Sequence, residues 1–303
     1  MGPLLFLLFI NDLPLYTNNT ETDLYADDTT LYHINNTLSS IENNLQTALQ
    51  SLSDWCKSNG MLINTSKTKV MLITTHQKRA SLNVTEINLH LNGENLSMIS
   101  KDKVLGIFID DNLTWKSHMD HICRKISSNI WLLSRIKQHL SLEHRIQFYK
   151  AYIQPHINYC NVIWGGSCQT NLNRLFRLQK RAVRIILDYN VDNSLESMQD
   201  LKIFTIFDRV YLRKAKFMYK ISKSKTPPYI NEMFNLRHVN ENTTITRSCS
   251  TNSFLIPKPN KEIFKQSLTY SGPIIWNNLP THIKEKSSTM AFQCNLIKLM
   301  KNV

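Results

Sequence analysis

The sequence lacks the features that would place it outside the cell or in a membrane. Its six cysteines, Cys56, Cys123, Cys160, Cys168, Cys249 and Cys294, are scattered along 303 residues and form no C-x-x-C pair. A disulfide framework is therefore not expected, and a reducing compartment fits better. Seven glycines and the absence of any low-complexity stretch exclude long flexible linkers and collagen-like arrays. No apolar run reaches the roughly 18 residues of a spanning helix. The run Leu4 to Ile10 has no basic leader and meets Asn11, Asp12 and Pro14 at once, unlike a secretory signal. The expectation is an intracellular chain, nuclear or cytoplasmic, neither secreted nor held in a membrane. Acidic residues are also scarce. Against 23 Asp and Glu stand 36 Lys and Arg, a formal net charge of +13 that points to a polyanionic partner.

The apolar pattern divides the chain. Pro3 to Leu13 reads as a helix closed by Asn11-Asp12 and Pro14. Asp23 to Tyr32 reads as two short strands around Asp27-Asp28, a hairpin with an acidic tip. Leu38, Ile41, Leu45, Ala48, Leu49, Leu52 and Trp55 have the three-four spacing of an amphipathic helix, which Gly60 ends. Met61–Asn64, Val70–Thr74 and Ile87–Leu91 are expected as strands. Val104–Ile109 is expected as one buried strand leading to Asp110-Asp111. After Trp115 long helices with basic faces run to about residue 225, where Thr226-Pro227-Pro228 breaks the pattern. A closing helix is expected over Ala291–Met300.

The acidic hairpin has a chemical reading of its own. Nucleotidyl transfer requires a hydroxyl to attack an α-phosphate while pyrophosphate leaves, and two divalent ions stabilise the entering and leaving oxygens. Magnesium takes carboxylate oxygens and shares its shell with substrate phosphates, so a rigid turn bearing Asp27 and Asp28 suits it. The alternative is a solvated Asp-Asp tip, a common turn composition. His118-x-x-His121-x-Cys123 invites a zinc reading, but no C-x-x-C lies near and an amphipathic helix accounts for it better.

Four ordered segments decide between the readings of the tip. They are Gly2-Pro3-Leu4-Leu5-Phe6 through Ile10-Asn11-Asp12-Leu13-Pro14, Tyr25-Ala26-Asp27-Asp28-Thr29, Asn64 with Lys67-Thr68-Lys69, and Leu105-Gly106-Ile107 through Trp115 and His118. In this order and spacing they resemble the palm of the reverse transcriptases of non-LTR (LINE-type, jockey-like) retrotransposons. The similarity continues through Tyr159-Cys160, Trp164-Gly165, Arg247-Ser248 and Trp276-Asn277-Asn278-Leu279-Pro280. The resemblance implies RNA-templated DNA synthesis, with Asp27 and Asp28 holding Mg²⁺. Lys67 would assist the leaving pyrophosphate, Asn64 would brace its turn, and Tyr25 would pack near the primer. It makes the segment around Asp110-Asp111 a primer grip rather than a metal site. It also implies a further metal-binding Asp and the nucleotide-gripping fingers ahead of Gly2. Asp12, inside the helix motif, does not match that position, so Mg²⁺ is expected to bind weakly or not at all and the 303 residues alone to have little or no activity.

The basic helices complete the sequence reading. Arg174, Arg177, Arg181 and Arg184 share one helix face, opposite Leu175, Ala182, Val183 and Ile186, and Arg209, Arg213, Lys216 and Lys220 repeat the pattern one helix later. Two rows of cations suit the phosphates of a primer-template duplex, contacts that position without reading sequence. The alternative is a solvated charged face. The expected fold class is α+β, with a partial reverse-transcriptase palm over 1–116. A helical, thumb-like basic region over 117–225 and a mixed C-terminal extension over 226–303 follow. The expected partners are an RNA template and DNA primer, or their hybrid, with deoxynucleoside triphosphates in the full-length enzyme. A non-catalytic nucleic-acid-binding remnant is the competing function.

Overall fold

The computed structural model describes residues 1–82, 87–188, 194–236 and 252–301, so Arg247-Ser248 and Cys249 lie outside the described residues. The chain divides into two compact units, Met1–Asp102 with Asp110–Asn112, and Lys103–Ile109 with Leu113–Val303. The class is α+β, dominated by helices and with four two-stranded sheets among the described residues. No described helix is long and apolar enough to cross a membrane.

In the first unit, α1 (Gly2–Phe9) opens on Pro3, whose fixed φ suits a first turn. It buries none of its residues, and Leu4, Leu5, Leu7 and Leu8 are all at least half exposed. A short 3₁₀ turn, Leu13–Tyr16, follows. The hairpin β1 (Glu21–Tyr25) and β2 (Asp28–Tyr32) comes next, then α2 (Leu38–Ser58), which buries Ala48, Leu49, Leu52 and Trp55 as its spacing predicts. Gly60 (φ +68°) ends α2 in a Schellman motif, with Gly60 N donating to Lys57 O and Met61 N to Cys56 O. Two small cores flank α2. One joins Leu49 to Leu72, Ile87, Leu89, Leu91 and Leu96, the other joins Leu52 and Trp55 to Ile10 and Leu13, and Leu31 of the hairpin packs against both.

The other strands are shorter than the pattern predicts. Met61 to Asn64 alternates half-buried and exposed residues but pairs with no strand among the described residues. The expected strand over 70–74 survives only at Val70, in β3 (Lys69–Val70). It and α3 (His76–Leu82) precede β4 (His90–Leu91), β5 (Glu94–Asn95) and β6 (Ser97–Met98); β3 pairs in parallel with β6, whereas β4 and β5 pair antiparallel. The expected single strand 104–109 is instead a turn between β7 (Lys101–Val104) and β8 (Ile107–Asp110). Leu105 (φ +46°) and Gly106 (φ +84°) both take the left-handed conformation of a two-residue hairpin loop. An apolar run containing one glycine hid that loop. Asp111 is a tie rather than a site: its carboxylate accepts from Arg79 Nη1 at 2.6 Å, and Arg79 Nη2 donates to Leu72 O.

The second unit is built on helices α4 (Lys116–Ile136), α5 (Leu142–Phe148), α6 (Gln154–Asn158), α7 (Asn161–Trp164), α8 (Gln169–Leu187), α9 (Ser194–Asp200) and α10 (Ile206–Ser222). The short α11 (Pro228–Glu232) and α12 (Glu262–Lys265) lead to α13 (Leu268–Asn277), α14 (Thr281–Lys284) and α15 (Thr289–Lys301). One core gathers Ile126, Ile130, Tyr149, Trp164, Leu175 and Val183; another gathers Met218, Tyr219, Phe254, Trp276 and Phe292. The α10 helix serves both, with Ile206 and Val210 in the first and Ala215, Met218 and Tyr219 in the second. Trp276 is fully buried, its Nε1 donating to Asn252 O, so it is a core anchor.

Several motif residues far apart in sequence meet in this unit. Tyr159 donates its hydroxyl to Leu105 O at 2.5 Å and lies where a side chain on Gly106 would fall, 3.3 Å from its Cβ position. Trp164 Nε1 donates to Tyr159 O, and the Trp164 ring meets His118 edge-on. His118 Nδ1 accepts from Phe108 N, and burial pushes its pKa down to about 4, with His121 adding to the effect. These residues are packing partners.

Candidate functional site: an acidic hairpin and two cationic helices

The hairpin register is Tyr25↔Asp28, Leu24↔Thr29, Asp23↔Thr30, Thr22↔Leu31 and Glu21↔Tyr32, leaving Ala26 and Asp27 as the loop. Strand alternation turns Leu24 and Leu31 toward the core, where both pack against the Trp55 cluster. The same alternation puts Tyr25 and Asp28 on the opposite, outer face, with Asp23 and Glu21 behind them. Asp27 and Asp28 are exposed, and neither has an ion-pair partner among the described residues. Ala26 takes φ +53°, a conformation that costs a non-glycine residue roughly 1–2 kcal/mol. The tight loop thus holds its carboxylates on a strained backbone anchored by two leucines. Tyr25 is 66% exposed, its ring uncovered by protein.

Period-two counting from Tyr25 reaches Asp23 and Glu21, which the motif alone does not flag. Both charges, after partial burial, raise the pKa of Tyr32 on the same face. Among the described residues no three His, Cys, Asp or Glu side chains lie close enough to hold a metal ion as a group. The pair at 27 and 28 therefore fits a hard cation as part of a shell completed by other oxygens, such as water and phosphate.

Lys67 is exposed in a turn that Asn64 braces. Asn64 Oδ1 accepts from Lys67 N at 3.1 Å and from Ser66 Oγ at 2.7 Å, and Asn64 O accepts from Thr68 N. Lys67 forms no ion pair with Asp27 or Asp28.

The cations lie in the second unit and divide into two kinds. On α8, Arg177, Arg181 and Arg184 are exposed along one face, while Leu175, Ala182, Val183 and Ile186 are buried on the other. Arg174 differs, pairing with Asp120 of α4 at 2.7 Å. On α10, Arg213 and Lys220 are exposed, but Arg209 is largely covered and donates to Gln154 Oε1 (2.8 Å), Asn158 Oδ1 (3.3 Å) and Phe204 O. Lys216 donates to Gln293 Oε1 at 2.7 Å. Also on α10, but turned to Ser271 of α13, is Lys214, 4% exposed, its ammonium donating to Ser271 Oγ; burial pushes its pKa down to about 8. Helical spacing put Lys214 outside both rows, so nothing in the sequence drew attention to it.

Residues 1–109, with the acidic hairpin in the first third of the match, fit the family described as "Reverse transcriptase (RNA-dependent DNA polymerase)". The match bears out the reverse-transcriptase resemblance of the motifs. Similarity extends further along the chain. Over 236 residues, 74% of the chain, it is 24% identical to the "Probable RNA-directed DNA polymerase from transposon X-element" of Drosophila melanogaster. It is 28% identical to the corresponding polymerase from transposon BS (74% of the chain) and 26% identical to the "RNA-directed DNA polymerase from mobile element jockey" (73%), both of the same fly. Each alignment covers 25% of the relative, so the chain spans about a quarter of the length of the curated relatives it matches. No solved structure matches. The reverse-transcriptase relatives are those of non-LTR retrotransposons, as the motif order implies.

Proposed function

We propose that the chain is a segment of a retrotransposon RNA-directed DNA polymerase that carries the metal-holding aspartate pair and much of the surface that grips the primer-template. The observation that carries this reading is Tyr-Ala-Asp-Asp on a two-residue hairpin loop, its carboxylates exposed and unneutralised, inside the matched residues 1–109. Residues 1–116 would be part of the palm, 117–225 a thumb-like region and 226–303 a C-terminal extension. Asp27 and Asp28 would hold Mg²⁺, which in such enzymes stabilises the attacking and leaving oxygens. Lys67 would offer a proton and a positive charge to the departing pyrophosphate, and Tyr25 an open ring face to the primer end. Arg177, Arg181, Arg184, Arg213 and Lys220 would neutralise phosphates of an RNA template and DNA primer inside the cell, with deoxynucleoside triphosphates as substrates of the complete enzyme.

A second reading, nucleic-acid binding without polymerisation, is favoured for the 303 residues by themselves. No third carboxylate joins Asp27 and Asp28 among the described residues, whereas Arg177, Arg181 and Arg184 of α8 are exposed and form no ion pair among them. Anisotropy with a labelled RNA–DNA hybrid, alongside primer extension with Mg²⁺ and nucleotides, tests both. The expected result is binding that weakens steeply with salt and no extension. Failure to bind the hybrid at low salt would overturn the proposal, and extension abolished by Asp27→Asn would overturn the second reading.

A further inference from the structure

We infer that a cleft in the second unit, between α6, α10 and α15, is a binding site for the phosphodiester backbone of a single nucleic-acid strand. The inference rests on the proposed nucleic-acid function and deepens it, adding a place where backbone is held rather than merely attracted. The cleft has a volume of about 350 Å³, at the small end of ligand pockets and too small to enclose a duplex. Five cations line it, Lys150, Lys202, Arg209, Arg213 and Lys216, and no aspartate or glutamate does.

The decisive feature is what holds those cations. A structural arginine or lysine is commonly matched by a carboxylate, which cancels its charge. Here Arg209 is held by the amide oxygens of Gln154 and Asn158, and Lys216 by that of Gln293. Neutral acceptors fix a cation in place while leaving its charge intact. The acid nearest Arg209 in sequence, Asp208, forms no ion pair with it and acts on it only through its field; its carboxylate accepts from Thr205 N and Oγ1 in the capping box that starts α10. The α15 helix contains no acid. Lys150, Lys202 and Arg213 have no ion pair among the described residues. Burial depresses the pKa of Lys216, and the neighbouring charges of Arg213 and Lys220 depress it further, the response of like charges gathered without a counter-charge.

The backbone explains how they gather. Pro155 lacks the N–H that an α-helical ladder would need, and just before it the chain makes a π-helical turn, Tyr149–Ile153. Lys150 lies in that turn, and Gln154 and Asn158 follow at four-residue intervals, so one side of the segment faces the cleft. Gln293 and Ile297 of α15 form part of the opposite lining, which gives the C-terminal extension a share in binding. Contacts to phosphate alone predict no base preference.

Lysine acylation of the full chain, read by mass spectrometry, tests the site. A saturating mixed-sequence single-stranded oligonucleotide should slow acylation of Lys150, Lys202 and Lys216 several-fold, and inorganic pyrophosphate should do so only at far higher concentration. Saturation is established independently by anisotropy. If the oligonucleotide is bound and these three lysines react at unchanged rates while Lys180 on α8 is protected, the cleft proposal fails and nucleic-acid binding stands. If nothing binds, the underlying reading fails. If pyrophosphate protects at concentrations as low as the oligonucleotide, the site takes small phosphates and the proposal is overturned. In a folded Lys150→Gln/Arg213→Gln double variant, the salt dependence of single-strand binding should fall by about 0.7 per lost contact. An unchanged slope would count equally against the cleft.

Discussion

The acidic hairpin and the cationic helices carry charge in opposite ways. At the hairpin the charges stand free, on an unfavourable backbone turn, with only Leu24 and Leu31 anchoring them from behind. On α8 and α10 the charges rise from helices whose other faces are deep core, and some of them are built into it. Arg174 is spent on Asp120, Arg209 is tethered by amides and Lys214 is interred beside Ser271. A row of cations read from helical spacing is thus several populations. Only the unpaired members are available to a polyanion, and only the free carboxylates are available to a metal.

The sharpest way to break that comparison is to reverse the free row. Arg177→Glu, Arg181→Glu and Arg184→Glu together should weaken hybrid binding by about 100-fold or more at moderate salt, and flatten the log–log salt slope by up to about 3. Arg174→Gln should do far less to the slope, because its charge is already matched; anisotropy across a salt series separates the two. Equal effects would erase the distinction between free and paired arginines.

Burial of cations predicts pH behaviour that exposed ones cannot show. The Lys214 pKa is lowered from 10.5 to about 8, so between those values the unfolded chain binds the extra proton and stability rises with pH. The rise is about 3 kcal/mol, taken from a shift of this size, and it should vanish in Lys214→Met when denaturant midpoints are compared at pH 8 and 10. His118 works at the acid end. Lowered from 6.5 to about 4, it stays neutral in the fold while the unfolded chain protonates, so stability falls as pH drops through that window. His118→Gln should move the acid-unfolding midpoint downward. At the smallest end, Asp27→Asn should change hybrid affinity by less than about twofold, since an exposed carboxylate contributes little beyond the local field.

Much of this was legible in the sequence. The apolar spacing from Leu38 to Trp55 marked α2 and its buried face, and the Tyr-Ala-Asp-Asp loop fell where the hairpin turns, because both signals are local. The short strands were not legible. Val70–Thr74 has strand composition, but the pairing that would extend it depends on partners further along the chain, and of the run only Val70 finds one, with Lys69 before it. The Leu105-Gly106 loop was masked by its apolar flanks. Side-chain partners were the least readable: nothing local to Arg209 or Lys216 announces Gln154, Asn158 and Gln293, which lie 51 to 77 residues away. For that reason the cleft emerged only from the fold, while the exposed aspartate pair was visible beforehand.

The central claim is that Asp27 and Asp28 are the ion-holding groups of this segment. Manganese broadening of backbone amide signals in the full chain tests it most directly. Substoichiometric Mn²⁺ should broaden Tyr25 to Thr30 first, with Asp27→Asn removing the effect and leaving the amide spectrum otherwise intact. Broadening centred elsewhere, or unchanged by Asp27→Asn, would contradict it.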